Sequence, residues 1–263
     1  MEPESLNADS RMSFRINTVK MTVTEAVAVL EAEGIRSEKS KIAGMGVITD
    51  DSAVFRSRLF RDRLIVPQDE ASQLAVEILE PRKGEKILDL CAGRGVKTTQ
   101  IAVQTADRAE ILAVDTNPDK LDALIELAAP AGIDSIATLC MDARRFKPDF
   151  PAFDRILIDA PCTGSGTIRR RPEIRYRIGM EDAERLSKLQ YGILSSGAGA
   201  LKPGGILVYS VCSFLNIEGK DVVGHFLRGN PDFFLEKEVM TFRDYSGTDG
   251  FYIARMRRSA KGL

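Results

Sequence analysis

The 263-residue chain holds little that would mark it for an oxidising or membrane setting. Cysteine occurs four times, as Cys91, Cys140, Cys162 and Cys212, and no two of these have the spacing of a CxxC metal motif. No metal site is expected. A chain of this length can bury its own core without disulfide staples, so reduced thiols in a cytoplasmic protein are the expectation. No apolar run approaches the roughly 20 residues that span a bilayer, and MEPESLNADSR has no apolar signal segment. Net charge is also lacking: 37 Lys and Arg stand against 38 Asp and Glu. Any nucleic-acid contact must therefore use a local basic patch. Histidine occurs once, as His225 in the last expected helix, and reads as structural. Repeats and low-complexity segments are missing.

What is present is a regular alternation of strand and helix patterns from Pro67 onward. Gln68 to Leu79 reads as an amphipathic helix with Asp69 and Glu70 in its first turn, where the helix dipole favours acids. Apolar strands follow at 86–90, 110–115, 135–140, 153–159 and 205–210, with helices after most of them. A terminal antiparallel pair is expected from 233–235 and 250–255. Such alternation predicts an α/β fold with a doubly wound, mostly parallel seven-stranded sheet of the Rossmann-like kind. Before it, residues 1–12 read as a flexible polar tail and residues 13–65 as a small α+β subdomain. That subdomain holds a strand at 13–19, a helix at 22–34 capped by Thr24, and short strands and turns at 41–60. The catalytic domain is then 66–263.

Two stretches carry chemistry. The first is Cys91-Ala92-Gly93-Arg94-Gly95-Val96-Lys97, between a strand and a helix. Its glycines permit close backbone approach, and the helix start offers free N–H groups. Asp115 ends the next strand and can accept both ribose hydroxyls. Thr98 stands where a dinucleotide fingerprint needs a third glycine. Together with Asp89, this favours the cationic cofactor S-adenosylmethionine. Asp142 either accepts from an adenine amino group or caps the segment that follows it.

The second is 153–171, FDRILIDAPCTGSGTIRRR, where a strand delivers Asp159 at its C-terminal end, followed by Pro161 and Cys162. Pro161 lacks an N–H and ends the ladder. Ligands of open α/β sheets bind beyond the carboxyl ends of strands. Cys212, in Tyr209-Ser210-Val211-Cys212-Ser213, falls at a second such end. Each thiol alone could be a small packed residue; the two together, flanked by Asp159, Ser210 and Ser213, point to chemistry. Cys91 needs only to be small, and Cys140 reads as core.

The segments ILDLCAGRGVKTTQIA, AVDTNPDKLDAL, MDARRF, FDRILIDAPCTGSGTIRRRPEIRYR and LKPGGILVYSVCSFLNIEGKDVV resemble, in sequence and order, the RsmB/Sun (Fmu) family of RNA cytosine-5 methyltransferases. The paired DAPC and YSxCS motifs are the most specific part. Arg15-Ile-Asn17-Thr-Val-Lys20, Val66 to Leu74 and Thr248-Asp-Gly-Phe-Tyr252 are similar to family positions as well. The resemblance implies methylation of cytosine C5 in ribosomal or transfer RNA through a covalent cysteine–C6 adduct. It makes Cys212 the nucleophile and Cys162 the residue that assists product release, and it places Asp159 on the cytosine edge. It also makes 91–97, Asp115, Lys120, Asp142 and Asp159 cofactor contacts. Where the family loop usually reads CAAPGGK, this chain has Gly93-Arg94 and Val96, which bears on cofactor affinity; Lys120 replaces a frequent Arg. The resemblance covers nearly all of the chain beyond the tail, so no further RNA-binding domain is expected.

Arg169, Arg170, Arg171, Arg175 and Arg177 directly follow the thiol turn. Such a run is either a solvated face or a phosphate contact, and its position favours RNA. A monomer that binds RNA and no membrane is the expectation. The rival from another class is a non-catalytic RNA-binding assembly factor that keeps the methyltransferase fold. An amino-methylating enzyme would carry a D/N-P-P-Y motif in place of DAPC.

Overall fold

The computed structural model describes residues 11–241 and 247–260. The expected tail lies outside the described residues up to position 10, and its last residue, Met12, already belongs to a strand.

The N-terminal part is built from β1 (Met12–Ile16), α1 (Val23–Ala32), β2 (Glu38–Lys39), β3 (Gly46–Thr49), α2 (Arg58–Arg61) and β4 (Ile65–Pro67). Its strands pair antiparallel in the order β2-β3-β1-β4. Phe14, Ile16, Leu30, Val47, Leu59 and Ile65 form its own small core. The cap of α1 is Thr22, not Thr24: the Thr22 hydroxyl accepts from Glu25 N at 3.2 Å, and the Glu25 carboxylate accepts from Thr22 N at 2.6 Å. This reciprocal box satisfies two backbone donors, which a cap at Thr24 could not reach. Thr24 instead accepts from Lys39. Of 41–60 only β3 is extended; Asp51 and Ser57 each cap a helical turn, at 52–56 and at α2. The expected boundary at 65/66 falls inside β4, which pairs with β1.

The larger part runs α3 (Glu70–Leu79), β5 (Lys86–Asp89), α4 (Val96–Gln104), β6 (Glu110–Asp115), α5 (Pro118–Ala128), β7 (Ile136–Cys140), β8 (Phe153–Asp159), α6 (Ile174–Arg177), α7 (Met180–Ala200), β9 (Leu201–Val211), α8 (Lys220–Gly229), β10 (Phe233–Met240) and β11 (Tyr252–Arg258). Its seven strands have the order β10-β11-β9-β8-β5-β6-β7. Strands β5 to β9 pair parallel, and β11 and β10 add antiparallel at one edge. Cys140, expected in the core, is exposed instead, because β7 is the other edge strand and is covered far less than its neighbours.

Alternate residues of each central strand serve opposite faces. Ile156 and Ile158 of β8 pack with Ile193 and Leu194 of α7 and with Val222 and Phe226 of α8. Leu157 between them packs on the other side with Val76 and Leu79 of α3 and Ile101 of α4. Burial on both faces explains why these strands read as unbroken apolar runs. Each fully buried aliphatic side chain contributes about 1.5–3 kcal/mol. From β5 the chain winds outward to β6 and β7, then returns to the other side of β5 for β8 and β9. The reversal lies between β5 and β8, whose carboxyl ends carry Asp89 and Asp159.

Candidate active site

The turn after β5 is shaped by a close approach. Gly95 adopts φ +80°, and a Cβ there would lie 2.3 Å from Leu124 Cγ, so only glycine fits. The turn is closed by Gly95 N donating to Ala92 O at 2.9 Å. Gly93 N donates to Asp115 Oδ2 at 3.0 Å, which fixes the acid at the end of β6 against the loop. Lys120 of α5 stands 3.7 Å from the other oxygen of Asp115.

These groups wall a cavity of about 400 Å³ at the switch point. Cys91, Gly93, Asp115, Lys120, Asp142 and Asp159 line it. The sequence did not point to Leu189 and Ile193 of α7, which form the apolar wall. Their helix is far away in the chain, and their spacing signals only core packing. Ala92, Gly95, Val96 and Lys97 shape the turn from behind, and Arg94 is exposed. Asp142 caps a helical turn, accepting from Arg144 N at 2.9 Å, and its carboxylate is held by the Arg144 guanidinium. That bonding pulls its pKa below the usual carboxylate range. It is both a cap and part of the cavity wall. Three carboxylates and an apolar wall suit a nucleoside carrying a positive charge.

Asp89 lies beneath the loop, fully buried. Thr98 Oγ1 donates to it at 2.7 Å. Burial, followed by the nearby charge of Asp159, pushes its pKa up to about 6. Cys91 is raised further by burial and by the surrounding carboxylates, so its thiol stays protonated and inert.

The two other thiols meet. Cys162 Sγ and Cys212 Sγ are 3.1 Å apart, because β8 and β9 are parallel neighbours with Asp159 opposite Ser210. The hydrogen bond to Cys212, then burial, raises the Cys162 pKa well above that of a free thiol. Either sulfur can be the donor in this contact. Asp159 accepts from Ser210 Oγ at 2.8 Å and from Lys97 Nζ at 2.6 Å. Burial works to lower the Lys97 pKa, but Asp159 beside it, with a smaller contribution from Cys212, holds it raised. Lys97 is thus the cation of the cavity acid. It also sits over the Phe251 ring, 5.2 Å from the centroid.

The basic run divides. Arg169 donates to Thr248 O, and Arg170 pairs with Asp69 and with Asp249, the latter at 2.9 Å. These two guanidinia join the thiol turn to the start of α3 and to the C-terminal segment. Arg171, Arg175 and Arg177 are exposed, with Tyr176 at 89% exposure beside them on α6. Arg15, 2% exposed, donates to Gln68 Oε1 at 2.8 Å and to Thr99 Oγ1 at 2.9 Å, tying β1 to α4. Burial lowers its pKa to about 10. His225 stacks on Tyr191 with ring centroids 4.6 Å apart, on the α7–α8 side of the sheet.

A seven-stranded, doubly wound sheet with an acid-lined cavity at its switch point defines a Rossmann-like methyltransferase domain. The model of the family described as 16S rRNA methyltransferase RsmB/F matches residues 76–257, and the chain belongs to that family. It is 35% identical over 267 residues to the probable ribosomal RNA small subunit methyltransferase B of Bacillus subtilis, covering 94% of this chain and 60% of the relative. The ribosomal RNA small subunit methyltransferase B of Thermus thermophilus is 38% identical over 203 residues, covering 73% of this chain and 50% of that one. The chain thus spans half to three fifths of the length of these relatives. A methyltransferase homolog protein from Pyrococcus horikoshii superposes with a TM-score of 0.83 at 27% identity, covering 97% of this chain and 88% of its own. NSun6 from the same organism, solved with SFG, shares the fold with a TM-score of 0.86 at 20% identity, covering 98% of this chain and 93% of its own.

Proposed function

We propose that the protein transfers a methyl group from S-adenosylmethionine to C5 of a cytosine in RNA through a covalent intermediate. The observation that carries this reading is the pair of thiols 3.1 Å apart at adjoining strand ends, next to a cavity that Asp159 and Pro161 of the Cys162 segment line. A transfer to nitrogen would need no thiol, and two would have no task.

Cytosine C5 is a poor nucleophile until a sulfur adds to C6 and makes the C5–C6 unit enamine-like. Cys212 is the residue for that addition: it follows β9 in the YSxCS motif, and its sulfur lies 3.1 Å from the second thiol. S-adenosylmethionine, when bound, supplies an electrophilic methyl group on a sulfonium. Gly93 N, Asp115 and Asp142 would hold the nucleoside portion, and Leu189 and Ile193 its apolar side. Asp159 orients the base through its N3/N4 edge and keeps Lys97 in place. Release needs the C5 proton passed to a solvent water, the C5–H electron pair forming the C5–C6 double bond and the C6–S pair returning to Cys212 as thiolate. Cys162, on the same side, assists this step. The base must be unpaired or flipped out, since a stacked cytosine cannot present C6 to a sulfur. Exposed Arg171, Arg175 and Arg177 supply the phosphate contacts and Tyr176 a stacking surface.

The ribosomal RNA methyltransferases to which the chain is similar, and the SFG carried by NSun6, support the RNA and cofactor parts of this reading. The test is incubation of the protein with S-adenosylmethionine and small-subunit ribosomal RNA or transfer RNA, followed by nucleoside mass analysis and bisulfite mapping. The expected product is 5-methylcytosine at a defined position. Absence of methyl transfer to either RNA would leave a binding protein that retains the fold.

A further inference from the structure

Glu218, just before α8, is completely buried, yet it has no place in the reaction described above. It lies outside α8, which begins at Lys220. A buried carboxylate is costly unless hydrogen bonds satisfy it. Here four donors converge on it. Thr163 donates through its backbone N at 2.8 Å and through its hydroxyl at 2.5 Å. Ser213 Oγ donates at 2.6 Å, and Gln190 Nε2 of α7 at 3.2 Å.

Thr163 follows Cys162, and Ser213 follows Cys212. One carboxylate therefore grips both thiol-bearing turns at the residue next to each sulfur. The grip is extended by neighbours. Gln190 Nε2 also donates to Pro161 O at 2.9 Å, and Ser165 Oγ and Ser213 Oγ share a hydrogen bond of 2.8 Å. Gly166 N donates to Cys212 O at 3.0 Å. The backbone of Glu218 is itself fixed, since Tyr209 Oη donates to its carbonyl at 2.5 Å. β8 and β9 set the two turns side by side, but the ladder ends at Asp159 and Ser210, before either sulfur.

We infer that Glu218 is the positioning residue for the thiol pair, holding Cys162 and Cys212 within contact of each other by binding Thr163 and Ser213 at once. Its catalytic meaning rests on the proposed methyl transfer, but the spacing it enforces does not.

The test reads sulfur proximity without RNA or cofactor. Phenylarsine oxide condenses with two neighbouring thiols, forming two As–S bonds and releasing water, and the product survives a monothiol wash. The full-length protein with Cys140→Ser, which removes the exposed thiol, is expected to retain one equivalent. Cys162→Ser in that background should retain none. Glu218→Leu, with folding checked by circular dichroism and thermal melting, is expected to bind the arsenical about tenfold more weakly, as for a lost coupling between neighbours. Glu218→Gln should stay within about twofold of the parent, because its amide can donate to hydroxyls that turn to accept. If Glu218→Leu does not fold, the Thr163→Val/Ser213→Ala double variant takes its place with the same expected weakening. Retention like the parent's in whichever folded variant is read overturns the assignment. Weakened arsenical binding in a protein that methylates no RNA would uphold the clamp and sink only the proposed reaction.

Discussion

Cys162 and Cys212, 50 positions apart in the chain, have their sulfur atoms 3.1 Å from each other. Each follows a parallel strand end, and the Cys162 thiol is raised by its bond to Cys212 and by burial. The proposed reaction divides the labour between the two sulfurs. Cys212→Ala is expected to abolish both methyl transfer and any covalent RNA adduct. Cys162→Ala should still form the adduct but release it slowly, so that a protein–RNA band accumulates on denaturing gels. Rapid release by Cys162→Ala, or turnover by Cys212→Ala, would reverse the assignment.

The basic run should not act as one patch. Arg171→Gln together with Arg177→Gln is expected to weaken RNA binding. Each lost phosphate contact lowers the slope of log affinity against log salt by about 0.7–0.9. Arg170→Gln should instead lower the melting temperature, because it leaves Asp69 and the buried Asp249 without their shared cation. Filter binding across a salt series and thermal melting separate the two effects. An unchanged slope in the double variant would show that the RNA lies elsewhere.

Asp89 makes stability depend on pH. Its folded-state pKa of about 6 lies above the ordinary value of 3.8. The stabilisation linked to its protonated form is therefore complete below the unfolded value and is lost as pH rises through about 6. A shift of this size corresponds to roughly 2–3 kcal/mol at most. Asp89→Asn is expected to be more stable than the parent at pH 8, with the gap closing by pH 5. Urea unfolding at both pH values checks this; an equal gap at both would contradict it. Asp249, also raised to about 6 by burial and then by Asp69, titrates in the same window and is untouched by the substitution.

Gly166 admits no side chain. A Cβ there would lie 1.7 Å from Gly250 O, and the backbone bonds Gly166 N to Cys212 O and Gly250 N to Gly166 O, at 3.0 Å and 2.8 Å, hold the segments too close to yield. Gly166→Ala is expected to cost about 1–3 kcal/mol, the range for overpacking a tight contact, and to spread the two thiol turns. Thermal melting gives the cost. A variant as stable as the parent would mean that the C-terminal segment shifts freely.

The sequence by itself determined the layer order and most element boundaries, because a parallel strand buried on both faces must read as an apolar run and a surface helix must show its stripe. It also determined the tight turn after β5, since Gly93 and Gly95 next to a strand end leave few other conformations. It missed the cap at Thr22, which depends on reciprocal bonding with Glu25, and it placed strands where Asp51 and Ser57 begin helical turns. Tertiary structure alone decided which residues meet across long gaps. Leu189 and Ile193 become a cavity wall only when α7 lies on the sheet, and Glu218 becomes the grip on two turns only when α7 and α8 close over it. Likewise Arg169 and Arg170 are spent on the C-terminal segment while Arg171 faces solvent, a difference that three adjacent arginines cannot show. Local patterns record what a residue must do for its own element. Hydrogen bonds between distant segments leave no period in the chain, so they had to be seen in place.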